Sequence, residues 1–274
     1  MKVLAEALRE PNGKIHELWL DNNNLTDSCV IDLVSALCTN RSLTVLDLGN
    51  NKLRDSGVNL LSEALKNLEC KIQKLWLDRL EITHSSARHL CSALSTNRSL
   101  RDLNLSNNEL GNSGVNLLST ALRNPGCKIQ KLVLDQIGFT ASCARELALN
   151  LSSSQSLRVL KLNFNHLADS RMKLSSVALK NENCKMQTLE LASVGLTDSC
   201  VNDFASAVSA NQPLIGPNLS LNFFTDKSVP ALHQLIKNYQ SLKWIRLWCN
   251  RFSFNGEIQL RKLHKIRSNL SVEV

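Results

Sequence analysis

Nine copies of the pattern Leu-x-x-Leu-x-Leu-x-x-Asn-x-Leu run through the chain. Their first apolar residues are Ile15, Leu43, Ile72, Leu100, Ile129, Leu157, Met186, Leu214 and Leu242. The steps alternate between 28 and 29 residues up to Leu214, and the last step is again 28. Whole phrases therefore recur at 57: "CKIQKLWLD" from Cys70 returns as "CKIQKLVLD" from Cys127 and as "CKMQTLELA" from Cys184. A fixed period of this size predicts a stack of like supersecondary units, each contacting its neighbours, rather than a globule assembled from distant segments.

Each unit carries two hydrophobic periods. "LTVLDLGNNKL", Leu43 to Leu53, alternates with period two through Leu46 and Leu48, which predicts a short strand with one buried face. "DSGVNLLSEALKN", Asp55 to Asn67, puts Val58, Leu61 and Leu65 on one side of a helix, with Asp55 or Ser56 placed to cap its first turn. Strands pack about 4.8 Å apart and helices roughly 8–10 Å apart, so one strand and one helix per repeat must curve. The expected fold class is α/β: a right-handed horseshoe solenoid with parallel strands on the concave face and helices on the convex face. Pro217 stands where a strand leucine is expected and removes a ladder donor, which predicts a local defect in the eighth strand.

The expected organisation is a single domain over 1–274. Residues 1–14 read as a partial repeat without its strand, because "VLAEALREPNGKI" matches "LLSEALKNLECKI" at the 57-residue offset. Residues 15–241 read as eight repeats, and 242–274 as the last repeat followed by a capping helix and a short final strand. The first strand would then present an open edge, a place for self-association, in what is expected to be either the C-terminal piece of a longer protein or a shortened product.

Composition excludes several classes. The chain has 274 residues with no Gly/Ser/Pro-rich linker, no leader-like apolar stretch after Met1 and no run of eighteen apolar residues, so no membrane partner is expected. Nine cysteines, an odd number with no Cys-x-x-Cys pair, favour a reducing, cytoplasmic setting. Cys29, Cys143 and Cys200 share one repeat position and Cys70, Cys127 and Cys184 another, so each set should pack in the interior. Members of a set lie two repeats apart, roughly 10 Å by strand spacing, too far for a disulfide. The net charge is +8, but only 4% of residues are aromatic, so a stacking surface for single-stranded nucleic acid is poorly supplied and such a partner is not expected. The basic run Arg261, Lys262, Lys265 and Arg267 reads as a solvated helix face. No phosphate loop, nucleophile elbow or His-Glu-x-x-His is present, and His84, His89 and Cys91 lack ligand spacing. No catalytic residue, cofactor or metal is expected. Asn23, Asn51, Asn108, Asn165, Asn222 and Asn250 occupy the motif's amide position and should bond backbone in the turn and in the neighbouring repeat; Leu80, Ile137 and Val194 replace it in the intervening repeats. The glycosylation-like matches at Asn24, Asn40, Asn97 and Asn104 read as chance.

With its 28/29 alternation over essentially the whole chain, the pattern resembles the ribonuclease-inhibitor class of leucine-rich repeats. That class includes ribonuclease inhibitor and the C-terminal repeat domains of NOD-like (NACHT-domain) receptors. The resemblance implies a non-enzymatic protein-binding module, with ligand sensing and autoregulation in cytosolic innate immunity or inflammasome signalling. Its partners would be proteins or other domains of the same receptor. An inhibitor gripping a basic enzyme on its concave face is the alternative. Against it, the inhibitor's Tyr-Asp contact pair aligns here with Trp248 and Cys249.

The residues before, between and after the paired strand leucines should face outward from the sheet. They comprise seven carboxylates (Glu17, Asp21, Asp47, Asp78, Asp102, Asp135, Glu190) and four bases (Lys74, Lys131, Lys161, Arg246). The motif requires no tryptophan at these positions, yet Trp19 and Trp76 flank Asp47, with Asp21 and Asp78 beside them, and Trp244 and Trp248 bracket Arg246. Exposed Trp and Arg among acids is the composition of a binding hot spot, and these eight residues form the expected partner-binding face.

Overall fold

In the computed structural model, residues 1–10, 13–169, 179, 181, 184–210, 213–265, 267 and 269–274 are described, apart from the side chains of Arg145 and Lys265. The helix expected in the Leu157 repeat falls mostly outside them. The chain divides into two compact units, Met1–Gly138 and Phe139–Val274.

The first unit alternates helix and strand: α1 (Lys2–Arg9), β1 (Glu17–Trp19), α2 (Asp27–Leu37), β2 (Val45–Asp47), α3 (Arg54–Leu65), β3 (Lys74–Trp76), α4 (His84–Thr96), β4 (Asp102–Asn104), α5 (Gly111–Arg123) and β5 (Lys131–Val133). The second comprises α6 (Ala144–Ser152), β6 (Val159–Lys161), β7 (Thr188–Glu190), α7 (Val201–Ala210), β8 (Gly216–Asn218), α8 (Val229–Asn238), β9 (Trp244–Arg246), α9 (Phe254–Arg261) and β10 (Ser271–Glu273). Each unit is an α/β leucine-rich repeat solenoid, its strands parallel and paired in chain order. Register is set by the inward leucines: Leu46, Leu75, Leu103 and Leu132 face one another on successive strands and are fully or almost fully buried. Each contributes about 1.5–3 kcal/mol of apolar burial. Val58, Leu61 and Leu65 bury the inner side of α3 as their spacing predicts. The defect expected at Pro217 is local: β8 keeps full register with β7, but its pairing with β9 reduces to Asn218 with Arg246. The capping helix and final strand of the C-terminus are α9 and β10.

The motif asparagines bind backbone across repeats. Asn108 Oδ1 accepts the amides of Leu80 and Ile82, and its Nδ2 donates to the carbonyls of Leu77, Leu105 and Ser106. Asn51 does the same between its own turn and that of Asn23 and Leu25. Asn23 itself is exposed, and among the described residues its side chain donates only to the Asp21 carbonyl. Asn40 and Asn97, 57 residues apart, are buried rather than glycosylation-like. Each donates to a helix-end carbonyl of the preceding repeat, Leu8 or Leu65, and accepts two amides of its own turn.

One capping expectation is corrected. Leu53 precedes α3 without a side-chain cap, and Asp55 serves the next repeat instead. Its Oδ1 accepts the Thr83 amide at 2.8 Å, its Oδ2 the Thr83 hydroxyl at 2.6 Å, and Ser86 also donates to it, while Thr83 caps α4. Asp169, Asp198 and Asp226 repeat this toward Thr197, Thr225 and Ser253. Burial pushes the Asp55 carboxyl up, but the hydroxyls of Ser85, Ser86 and Thr83 and the Thr83 amide outweigh it and hold it at about 2. A folded value below the unfolded one gives stability that is full above pH about 4 and is lost as pH falls toward 2. Because Asp55 is partly solvated, the contribution is discounted to about 1 kcal/mol. Thermal melts at pH 5 and 2.5 should show a smaller acid loss for Asp55→Asn than for wild type; equal losses would remove the ladder from the account.

The residue just before the motif's asparagine position is left-handed in every repeat: Asn22, Asn50, Arg79, Asn107 and Gln136 in the first unit, Phe164, Ser193, Leu221 and Cys249 in the second, with φ of 51–57°. Asn tolerates this region and most other residues pay for it. Exposed Cys249→Asn is therefore expected to stabilise by about 0.5–1 kcal/mol in urea titration, and a destabilised variant would contradict this reading.

The nine cysteines are free thiols. Cys70, Cys127, Cys143, Cys184 and Cys200 are buried as expected, whereas Cys29 is half-buried. Burial pushes the Cys143 thiol up to about 11 and Cys70 and Cys127 in the same direction, so these are packing groups rather than nucleophiles. The basic run is not simply a solvated face. Arg261 donates to Glu257 and to the Val274 carbonyl, and Arg267 donates to four carbonyls around the end of α8. The Lys265 side chain lies outside the described residues.

Candidate functional site

Side chains alternate along a strand, so burying Leu46 and Leu75 turns Val45, Asp47, Lys74 and Trp76 to the other face of the sheet. Parallel register then places Trp19 beside Asp47 and Asp47 beside Trp76. The two indoles meet over the intervening strand, their ring centroids 5.0 Å apart and their planes inclined by 50°. That separation is within the range of a favourable aromatic pair, worth about 0.5–1.5 kcal/mol. Trp19 is 53% exposed and Trp76 is half-buried. The Trp19 indole N–H donates to Glu17 Oε2 at 3.3 Å.

The acids gather beneath and beside this pair. Asp47 Oδ1 accepts the Gly49 amide at 2.8 Å, and Asp78 Oδ1 accepts from Asn104 Nδ2 at 2.9 Å. A side chain at Gly49 would begin 3.0 Å from Asp78 Oδ1 and 3.1 Å from Asp47 Oδ1, so both carboxylates fold in over bare backbone. Burial pushes the Asp47 carboxyl above the usual carboxylate range; the Gly49 amide opposes this, and the charges of Asp21 and Asp78 add to the rise. Burial likewise pushes Asp78 up, against its own amide and Arg79, with Asp21 again adding to the rise. Asp21 is exposed. The neighbouring Asp102 is met by Lys131 at 2.9 Å.

Thus Trp19, Asp21, Asp47, Trp76 and Asp78 come together in the first unit as the sequence suggests. Glu17, Gly49 and Asn104 complete the patch. They stand at the same outward positions, but only a contact between side chains reveals their part. In the second unit, the Arg246 guanidinium lies 4.9 Å from the Trp244 ring centroid and binds Glu273 at 2.9 Å. The Trp244 indole covers Gly216, and Trp248 is 40% exposed. Lys161 meets buried Glu190 at 3.0 Å. Arg251, 28 residues after Phe223, stacks on its ring at 4.3 Å, a pair that lies just past the motif asparagines rather than on the outward strand positions. Among the described residues no group of three or more His, Cys, Asp or Glu could hold a metal ion, and no helix is long and apolar enough to cross a membrane.

The family model described as "Leucine Rich repeat" matches residues 39–62 and 96–119. Cattle (Bos taurus) "NACHT, LRR and PYD domains-containing protein 3" is 37% identical over 273 residues, 99% of this chain and 26% of that protein. The human protein of the same name is 36% identical over 274 residues, again 99% and 26%. Human "NACHT, LRR and PYD domains-containing protein 5" is 37% identical over 242 residues, 88% of this chain and 20% of that protein. The chain spans about a quarter of the length of the first two relatives.

Proposed function

Since the chain belongs to the leucine-rich repeat proteins and matches the repeat region of NACHT, LRR and PYD domains-containing proteins, we propose that it is a non-enzymatic protein-interaction module, a ligand-sensing and autoregulatory repeat domain of a cytosolic innate immune receptor. The observation that carries this reading is the Trp19–Trp76 pair. Leu46, Leu75 and their equivalents build the solenoid, whereas nothing in the repeat requires two indoles on the outward face. Large, rigid aromatic groups beside acids that have no ion-paired base among the described residues supply contact area at low entropic cost, as binding hot spots do.

The test is quantitative affinity capture from cytosol with the wild-type chain and with the Trp19→Ala/Trp76→Ala double variant. Proteins retained by wild type should fall at least tenfold with the variant. An unchanged set would remove this face from the function. Titration against a pancreatic-type ribonuclease separates the inhibitor alternative, for which inhibition at micromolar concentration is required.

A further inference from the structure

The strand face of the first unit differs from that of the second in what its acids do. In the second unit the outward carboxylates are met within the chain: Glu190 by Lys161 and Asn163, and Glu273 by Arg246. In the first unit Asp102 has Lys131, but the carboxylate of Asp21 and the Oδ2 atoms of Asp47 and Asp78 meet no donor among the described residues. Of the nearby bases, Lys74 is exposed on β3, and exposed Arg79 acts on Asp78 through its charge without an ion pair among the described residues. Two half-buried carboxylates that converge over Gly49 with no ion-paired base among the described residues are costly in the free chain, and burial raises both carboxyls even though the charge of Arg79 acts against the rise at Asp78.

Resting on the reading of this face as a protein-binding surface, we propose that the Asp47–Asp78 pair and the Trp19–Trp76 indoles together seat the cationic head of an arginine or lysine side chain from a partner protein. Charge complementarity selects the occupant. Carboxylates exclude phosphate, nucleic acid and anionic lipid, while exposed indole faces favour an organic cation, whose guanidinium or ammonium gains from the ring quadrupole. A planar guanidinium can also donate to two carboxylates at once, which makes arginine the better fit. A bare metal ion gains nothing from the indoles, and the carboxylates do not form a ligand set.

The probe is the blocked pentapeptide acetyl-Gly-Gly-Arg-Gly-Gly-amide, with its Lys and Gln counterparts, titrated into the full 274-residue chain. The indole N–H signals are followed by NMR, since only Trp19, Trp76, Trp244 and Trp248 supply them. The Arg peptide should shift Trp19 and Trp76 and leave Trp244 and Trp248 in place, and the Gln peptide should shift none. Asp47→Asn/Asp78→Asn should weaken the Arg peptide at least tenfold while raising the melting temperature, because it removes charges that burial disfavours. Gly49→Ala, which pushes the two carboxylates apart, should weaken it by a smaller factor.

Equal response to Arg and Gln peptides, or unchanged affinity in the Asp double variant, would overturn the proposal. Calcium shifting the same signals where the Arg peptide does not would overturn it in favour of a metal. If the peptide fails while Trp19→Ala/Trp76→Ala still abolishes capture of partner proteins, the cationic occupant falls and the interaction face stands. If capture is also unchanged, both fall.

Discussion

Asn222→Ala is expected to destabilise the second unit by about 3–5 kcal/mol. The side chain is 3% exposed, and its Oδ1 accepts three amides, those of Val194, Gly195 and Leu196. Its Nδ2 donates to the carbonyls of Leu191, Leu219 and Ser220 at 2.8, 3.0 and 3.1 Å. Truncation strands buried backbone groups in two successive turns, each costing about 1–3 kcal/mol before water enters the space left behind. Asn222→Asp keeps an acceptor for the amides but turns a carboxylate toward carbonyls, so it should fare no better. Urea titration gives the size, and amide hydrogen exchange gives the location: protection at Val194 and Leu196 should fall before protection in the first unit. A loss below about 1 kcal/mol would mean that the amide ladder does not join the repeats.

Arg267→Ala carries the second largest expected effect, about 2–3 kcal/mol. Its Nη1 donates to the carbonyls of Ile236 and Tyr239, and its Nη2 to those of Gln240 and Leu242, at 2.7 to 3.2 Å. These are the end of α8 and the turn into β9, where helix carbonyls have no partner within the helix. The cation also opposes the negative end of the α8 dipole. Arg267→Lys should recover less than half of the loss, because one ammonium cannot reach four carbonyls spread around a turn. Exchange at the Tyr239 and Leu242 amides reads this directly. Full rescue by lysine would show that charge alone matters there.

These two residues also mark how far the sequence could be read. Asn222 was legible, since its period places it at the motif's amide position and a buried amide needs partners. Arg267 was not. It lies past the point where the repeat breaks, so no register related it to the end of α8, and a basic run looked solvated. Asp55 failed differently: its spacing suits a cap on its own helix, but the same side chain reaches Thr83 one repeat on, and only stacking decides between them. The candidate site was legible as a set of outward positions. Its geometry was not, because strands two apart are separated by roughly 10 Å. The indoles close to 5.0 Å only by leaning across Asp47, and side-chain rotamers leave no mark on spacing. Glu17 and Gly49 occupy outward positions as well, but nothing in their spacing shows that they touch the indoles or the carboxylates.

If Trp19 and Trp76 stand on the sheet for a partner rather than for the fold, as we propose, removing both indoles leaves the fold nearly intact. Equilibrium unfolding of the Trp19→Ala/Trp76→Ala variant tests it most directly. With Trp19 53% exposed, the pair should be worth about 1–2 kcal/mol, its mutual contact plus partial burial, and the variant should keep a cooperative transition. A loss of about 4 kcal/mol or more, the scale of removing core aromatics, would make the indoles structural and contradict the account.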